Sequence, residues 1–404
     1  MAVAFPGFST ENALLCNYYS HQYKMIPARS ELLSTLPGAP MKFSAERESL
    51  LAALQSVIGV VERRQTMPIL ANLLLVTNGS KLSLTATDLE VELVASADIK
   101  PGTDGRVTVP GRKLLDICRS LPEEATLTLT QDGDRMTVKA GKSRFVLATL
   151  PAADFPVIDE LQQQQKFSLA QADLRRLLDK THFSMAQQDV RYYLNGMLLE
   201  TDGKTLRTVA TDGHRLALCE VDLPSKATGQ QVIVPRKGVL ELQRLLGTEG
   251  DAEVTIGSNH IRAQIGDVRF TSKLIDGRFP EYSRVIPSAP PRSIVADREV
   301  LRAALQRTSI LANEKYRGIR LALKKNQLTL QAHNPEQEEA EEQVEVNYRG
   351  DDLEVGFNVG YLLDAIAAID SSEVELGVTD GNSSCLVRSP GASSARYVVM
   401  PMRL

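Results

Sequence analysis

One helix-length segment occurs three times along this chain, and that repetition limits its fold more than any other feature. KFSAERESLLAALQSV at 42–57 returns as KFSLAQADLRRLLDKT at 166–181 and as SIVADREVLRAALQRT at 293–308. A second set, VTVPGRKLLDICRSL at 107–121, VIVPRKGVLELQRLL at 232–246 and VGFNVGYLLDAIAAI at 355–369, holds the same place within each copy. Two independent markers in one register imply three tandem domains built on a single plan.

Both sets share a local grammar. A short strand-like run leads into a segment whose apolar residues fall one, three or four apart: Leu50, Leu51 and Leu54; Leu114, Leu115 and Cys118; Leu174, Leu177 and Leu178; Leu301 and Leu305; Leu362, Leu363 and Ile366. That spacing gives a helix one apolar face. Behind each helix come about three short runs of alternating polarity with turn residues between them, as in NLLLVTNGSKLSLTATDLEVELVA at 72–95. The expected unit is β-α-β-β-β, two to a domain, which makes an α+β architecture of helix pairs packed on antiparallel sheets.

The totals narrow the function. With 46 basic and 50 acidic residues the formal charge is −4, which argues against a wholly basic surface but leaves room for a segregated basic face. The helical segments are modestly basic, through Arg112, Lys113, Arg119, Arg175, Arg176, Lys180, Arg236, Lys237, Arg244, Arg302 and Arg307. Basic residues on an outer helix face are usually just solvated. Repeated on six similar helices, they also suit one common polyanion. Cys16, Cys118, Cys219 and Cys385 form no C-x-x-C pair, and the five histidines are equally scattered. No disulfide framework, metal site or cofactor is expected, and a reducing cytoplasm fits. No apolar run approaches a membrane span, and the first twenty residues lack the pattern of a secretory signal. P-loop, H-E-x-x-H and G-x-S-x-G motifs are absent.

TVATDGHRLAL at 208–218 crowds Thr211, Asp212, His214 and Arg215 together. Taken alone, Asp212 and His214 suggest an acid–base pair, and a hydrolase or transferase is one alternative reading of the chain. The repeats weigh against it. The aligned stretch of the first copy, SLTATDLEVEL, keeps the Thr-Asp pair at Asp88 without a histidine, and the third copy reads TLQAHNPEQEE. An Asp recurring at a strand end more often satisfies the amides of a turn. The acidic run EQEEAEEQVE reads as a solvated strand face rather than a metal site.

VRYYLNG at 190–196, VATDGHRLA at 209–217, VIVPRKG at 232–238, DGRFPEY at 276–282, NPEQEEAEE at 334–342 and YVVMPMRL at 397–404 carry a further signal. With the threefold repeat, they closely resemble the bacterial DNA polymerase III β subunits, the sliding clamps, from Met41 to Leu404. The resemblance implies the DNA-clamp fold, with clamp domains over 41–161, 166–291 and 292–404. It implies a non-catalytic, head-to-tail homodimeric ring around double-stranded DNA, with helices lining the ring and sheets outside. A repeat scaffold that never encircles DNA is the other alternative. Implied partners are the replicative polymerase subunit, an ATP-driven clamp loader, and other polymerases and repair proteins carrying clamp-binding peptides, with no membrane.

The resemblance also distributes roles. Arg64, Gln188, Arg191, Tyr192 and Tyr193 match DNA-touching loops, while Arg112, Lys113, Arg236 and Lys237 stand on the pore helices. The partner-peptide pocket takes Leu194, Thr211, Gly213, His214, Arg215, Leu216, Pro280, Arg284, Val285, Asn358, Tyr361, Ser384, Val398, Met400, Pro401, Met402 and Arg403. Methionines suit a site that accommodates several related peptides. Phe145 and Leu147 of one chain would meet Ile310 and Leu311 of the other. Residues 1–40 have no counterpart in the pattern and are expected to be a disordered extension or a misassigned start, since MKFS at 41 reads as a natural beginning.

Overall fold

A computed structural model describes residues 40–61, 67–158, 161–392 and 394–403. Arg64 and the extension before residue 40 therefore lie outside the described residues. The chain divides into two compact units between residues 160 and 161.

In the first unit, strand β1 (Lys42–Glu46) runs into helix α1 (Arg47–Val57), followed by β2 (Asn72–Asn78), β3 (Lys81–Thr87) and β4 (Val91–Asp98). After β5 (Lys100–Thr103), the plan restarts with β6 (Arg106–Pro110), α2 (Gly111–Ser120), β7 (Thr126–Asp132), β8 (Arg135–Ala140) and β9 (Ser143–Ala148). Leu50, Ala53, Leu54 and Val57 form the buried stripe of α1, at the three- and four-residue steps of a helix with one face in a core. The strands pair antiparallel in the orders β4-β3-β2-β6 and β5-β1-β7-β8-β9. In β8 every second side chain is buried, so Met136 and Val138 face the core while Arg135 and Lys139 face out.

The second unit holds the other two copies. Its first copy has β10 (Gln163–Ala170), α3 (Gln171–Asp179), the long strands β11 (Gly196–Thr211) and β12 (Arg215–Pro235), α4 (Arg236–Leu245), β13 (Asp251–Gly257), β14 (His260–Ile265) and β15 (Val268–Lys273). Its second copy has β16 (Arg292–Asp297), α5 (Arg298–Thr308), β17 (Gly318–Lys324), β18 (Gln327–His333), β19 (Glu339–Glu345), β20 (Leu353–Asn358), α6 (Val359–Ala367), β21 (Glu373–Val378), β22 (Cys385–Arg388) and β23 (Ala395–Val399). Sheet orders are β10-β13-β14-β15, β11-β12-β23-β22-β21-β16 and β19-β18-β17-β20. The six-stranded sheet draws on both copies, because β12 pairs with β23 from Arg215↔Val399 to Cys219↔Ala395. That shared sheet joins the second and third copies within one compact unit.

Candidate functional site

The TVATDGHRLAL stretch forms the end of β11, a tight turn and the start of β12. Asp212 Oδ1 accepts from the amides of His214 and Arg215, at 2.9 and 3.0 Å. Thr211 Oγ1 donates to the Arg215 carbonyl at 2.6 Å and accepts from the Gly213 amide at 3.1 Å. The first unit repeats this turn bond for bond. Asp88 Oδ1 accepts from Glu90 and Val91 amides at 2.9 and 2.7 Å, and Thr87 Oγ1 bonds the Val91 carbonyl and the Leu89 amide at 2.9 and 3.1 Å. Gly213 occupies a left-handed conformation, φ 88°, and Leu89 takes the same region at 78°. Glycine relieves strain at 213, and it also makes room for the Arg191 guanidinium, 2.9 Å from where a Cβ would stand. The turn is structural, and Asp212 is not available as a general base.

Its other oxygen is taken as well. Arg215 Nε donates to Asp212 Oδ2 at 3.0 Å, in a pair whose side chains are only 13% and 16% exposed. The same guanidinium bonds the Phe183 carbonyl at 2.6 Å and the Asp364 carboxylate on α6, and it stacks 4.6 Å over the Tyr361 ring. Asp364 and Tyr361 belong to the last copy, so Arg215 ties two copies together at this point. Burial pushes the Tyr361 hydroxyl pKa upward. Asn358 caps α6, accepting from Gly360 and Tyr361 amides, and its Nδ2 donates to the Tyr316 carbonyl at 3.1 Å.

The C-terminal segment runs alongside. Leu216 lies opposite Val398, the Met400 amide donates to the His214 carbonyl at 2.9 Å, and the Met402 amide donates to the Gly356 carbonyl at 2.8 Å. Ser384 Oγ lies 3.1 Å from Met400 Sδ. Beneath sits an apolar cluster of Leu198, Val209, Leu216, Leu218, Ile233, Phe279, Leu386 and Val398, with Tyr193, Ile275, Tyr282 and Ile286 half-exposed at its margin. His214, Pro280, Arg284 and Val285 are exposed around it, and Pro401, Met402 and Arg403 border an open cavity of about 700 Å³. Leu194, Leu216 and Val398 are themselves buried and support the surface from below. Sequence reasoning missed Phe279 and Asp364. Phe279 sat inside the quoted DGRFPEY motif, whereas nothing in the sequence marked Asp364.

The expected DNA contacts divide in two. Lys113 is exposed on α2, but Arg112 beside it is half-buried and donates to the Val61 carbonyl. Arg236 is likewise half-buried at the start of α4, and Lys237 engages a neighbour. Gln188 is exposed with φ 55°. Arg191 is held by Asp189 through Nε at 3.0 Å and Nη2 at 2.9 Å, and it reaches the Asp212 carbonyl at 3.3 Å. These bonds hold the Asp189 carboxyl well below its usual range, at about 2. Of the two tyrosines expected to stack on bases, Tyr192 is 57% exposed, but Tyr193 packs on the apolar cluster. Tyr192 is thus the more accessible of the pair. Arg191 is tied to the turn rather than extended.

At the expected subunit contact, Ile310 is 76% exposed in the short turn Ser309–Leu311, and Leu311 is half-buried. On β9, Leu147 lies opposite Met136 with only 7% exposure, because strand alternation turns it inward. Its neighbour Val146 is the outward residue, 42% exposed, with Phe145 half-buried. Among the described residues, no group of three or more His, Cys, Asp and Glu is placed to hold a metal ion. Burial raises Cys118 and Cys385 to about 12 and Cys219 to about 11, so these thiols stay protonated and unreactive at neutral pH.

Family models for the DNA polymerase III beta subunit match in order: the N-terminal domain over residues 41–159, the central domain over 168–281 and the C-terminal domain over 283–403. The beta sliding clamp of Pseudomonas aeruginosa is 57% identical over 369 residues, 90% of this chain and all of that one. That of Escherichia coli K12 is 54% identical over 366 residues, with 90% and 100% covered. A crystal structure of the P. aeruginosa sliding clamp bound to griselimycin matches with a TM-score of 0.88 at 55% identity, covering 91% of this chain and all of that one.

Proposed function

The chain belongs to the DNA polymerase III β subunit family, and from that premise we infer how it works as a sliding clamp. It is a non-catalytic processivity factor for DNA replication. Two copies close head to tail around double-stranded DNA and tether the replicative polymerase. An ATP-driven loader opens the ring, and the ring works in the cytoplasm. A clamp must hold DNA without choosing a sequence, so its contacts are to phosphates, weak and redundant enough to slide.

The surface around His214, Met400 and Val285 is the docking groove for partner peptides. The observation that carries this reading is the turn at 211–215, reproduced bond for bond at 87–91. A copied turn with both Asp212 oxygens already bonded leaves no acid–base pair, while the apolar cluster beside it supplies a floor for hydrophobic side chains. Griselimycin, bound by the P. aeruginosa clamp, is expected to bind this chain too. Gln188, Tyr192 and Lys113 meet DNA. At subunit closure, the free edge of β9, with Val146 and Phe145, meets the edge of β19 and Ile310 of the second copy. The acidic β19 opposes Lys142 and Arg144 there.

The purified protein should run as a dimer in light scattering and stay on nicked circular DNA but leave it on linearisation. Equal retention on both forms would refute encirclement. His214→Ala should weaken partner binding and leave retention on circular DNA intact.

A further inference from the structure

The groove wall carrying Arg284 and Val285 is a four-residue turn, Tyr282–Val285, whose inward anchor is one tyrosine. Tyr282 packs its ring on the apolar cluster and sends its hydroxyl to the Glu200 carboxylate on β11. Arg207, also on β11, donates to Glu200 Oε2 at 2.7 Å and to the Tyr282 hydroxyl at 3.1 Å. Gln231 of β12 donates to the other Glu200 oxygen at 2.5 Å. Arg207 Nε is held in turn by Glu220 at 2.9 Å. Glu200 and Arg207 are only 15% and 22% exposed, so water competes poorly for these bonds.

We propose that Glu200, Arg207 and Tyr282 are positioning residues for the docking groove, setting the turn on which Arg284 and Val285 meet a partner peptide. This rests on the groove reading above. None of the three needs to touch the peptide. The network couples the wall to β11 and β12, whose ends and connecting turn supply Thr211, His214 and Leu216. Burial and the Glu200 bond push the Tyr282 hydroxyl up to about 12, so it stays a donor at neutral pH. Donors on three sides hold Glu200 below its ordinary value despite its burial, so it stays an acceptor.

The test measures labelled griselimycin binding to the full-length protein. Tyr282→Phe deletes one hydroxyl, keeps the ring packed, and should weaken binding by about five- to tenfold, the net worth of one ordinary hydrogen bond, because the lost bond acts on the peptide only through the turn it places. The loss should appear in the dissociation rate with little change in melting temperature. Glu200→Gln should weaken binding similarly, since the amide keeps the shape but loses the charge. A double-mutant cycle separates positioning from general stability. In a Val285→Ala background Tyr282→Phe should cost much less, because the residue it places is already gone. Full additivity, or unchanged binding by Tyr282→Phe, overturns the proposal. Met400→Ala and His214→Ala are the control for the groove itself. If these leave binding intact, the groove reading fails; if they weaken it and Tyr282→Phe does not, only the positioning role fails.

Discussion

Arg215→Ala should loosen the second unit where its two copies meet. The guanidinium is 13% exposed and makes three charge-assisted hydrogen bonds, to Asp212, Asp364 and the Phe183 carbonyl, besides its stacking over Tyr361. A hydrogen bond to a charged group contributes about 1.5–3 kcal/mol, and cation–π stacking adds roughly 0.5–1. Two discounts apply. Asp364 is 49% exposed and recovers water when the arginine leaves, and Asp212 keeps its two turn amides. What remains is a loss of about 3 kcal/mol, within the range for breaking a buried pair. Opening of the β12–β23 pairing should become about a hundredfold more frequent, at 1.4 kcal/mol per factor of ten. Hydrogen exchange read by mass spectrometry on peptides spanning 215–219 and 395–399 measures this, with β7 and β8 of the first unit as internal controls. Arg215→Lys should recover part of the loss, since an ammonium reaches one partner but cannot fork or stack. Exchange in Arg215→Ala within threefold of the unsubstituted protein would show that the residue serves only as a peptide contact.

The repeated turns allow a paired test: Asp88→Ala and Asp212→Ala each remove an acceptor for two amides, a cost of about 2 kcal/mol at roughly 1 per bond, and Asp212→Ala should cost more because Arg215 loses its buried partner. Calorimetric melting of both variants checks the order. The Asp189–Arg191 tie should persist through ordinary acid conditions. A depressed carboxyl pKa stabilises the loop above the ordinary aspartate value of about 3.9, and the contribution fades as pH falls through about 2. Carboxyl NMR should give an Asp189 midpoint near 2, moving up towards the ordinary value in Arg191→Ala. On DNA, Lys113→Ala should weaken binding uniformly across sequences and flatten the salt dependence by about one unit. Arg112→Ala should mainly lower the melting temperature, because its guanidinium is bonded to Val61.

The repeats were legible because a helix stripe and a strand alternation each leave a period in the sequence, and three copies reinforce it. The structural role of Asp212 was legible for the same reason, since Asp88 offered an internal comparison. Alternation along β9 puts Phe145 and Leu147 on one face and Val146 on the other, but three consecutive apolar residues do not say in the sequence which face is inward. Other features leave no local trace. Arg215 and Asp364 are 149 residues apart, and nothing near either announces the other. Tyr192 and Tyr193 are adjacent and chemically identical, so only the path of the loop decides which packs inward.

The basic helix residues show most clearly why charge counted along a sequence misleads. In each copy an arginine of the first helix crosses to the C-terminal carbonyls of the second. Arg47 reaches Cys118 and Arg119 at 2.9 and 3.4 Å, Arg175 reaches Leu246 at 3.3 Å, and Arg298 bonds Ile369. A helix C-terminus carries unpaired carbonyls and about half a negative charge, so it is the nearest anion such a side chain meets. Others are engaged by acids along or near their own helices: Arg176 by Asp173, Arg244 by Glu241, Arg302 by Glu299, and Arg307 by Glu342. These arginines are exposed, so the pairs are weak and a phosphate can compete for them. The helix-end arginines are different, since withdrawing one leaves carbonyls without a donor. Helix charge therefore falls into a fixed part that holds helix pairs together and an exchangeable part that, on the proposed reading, is available to DNA. Only the second part should appear in the salt dependence of binding.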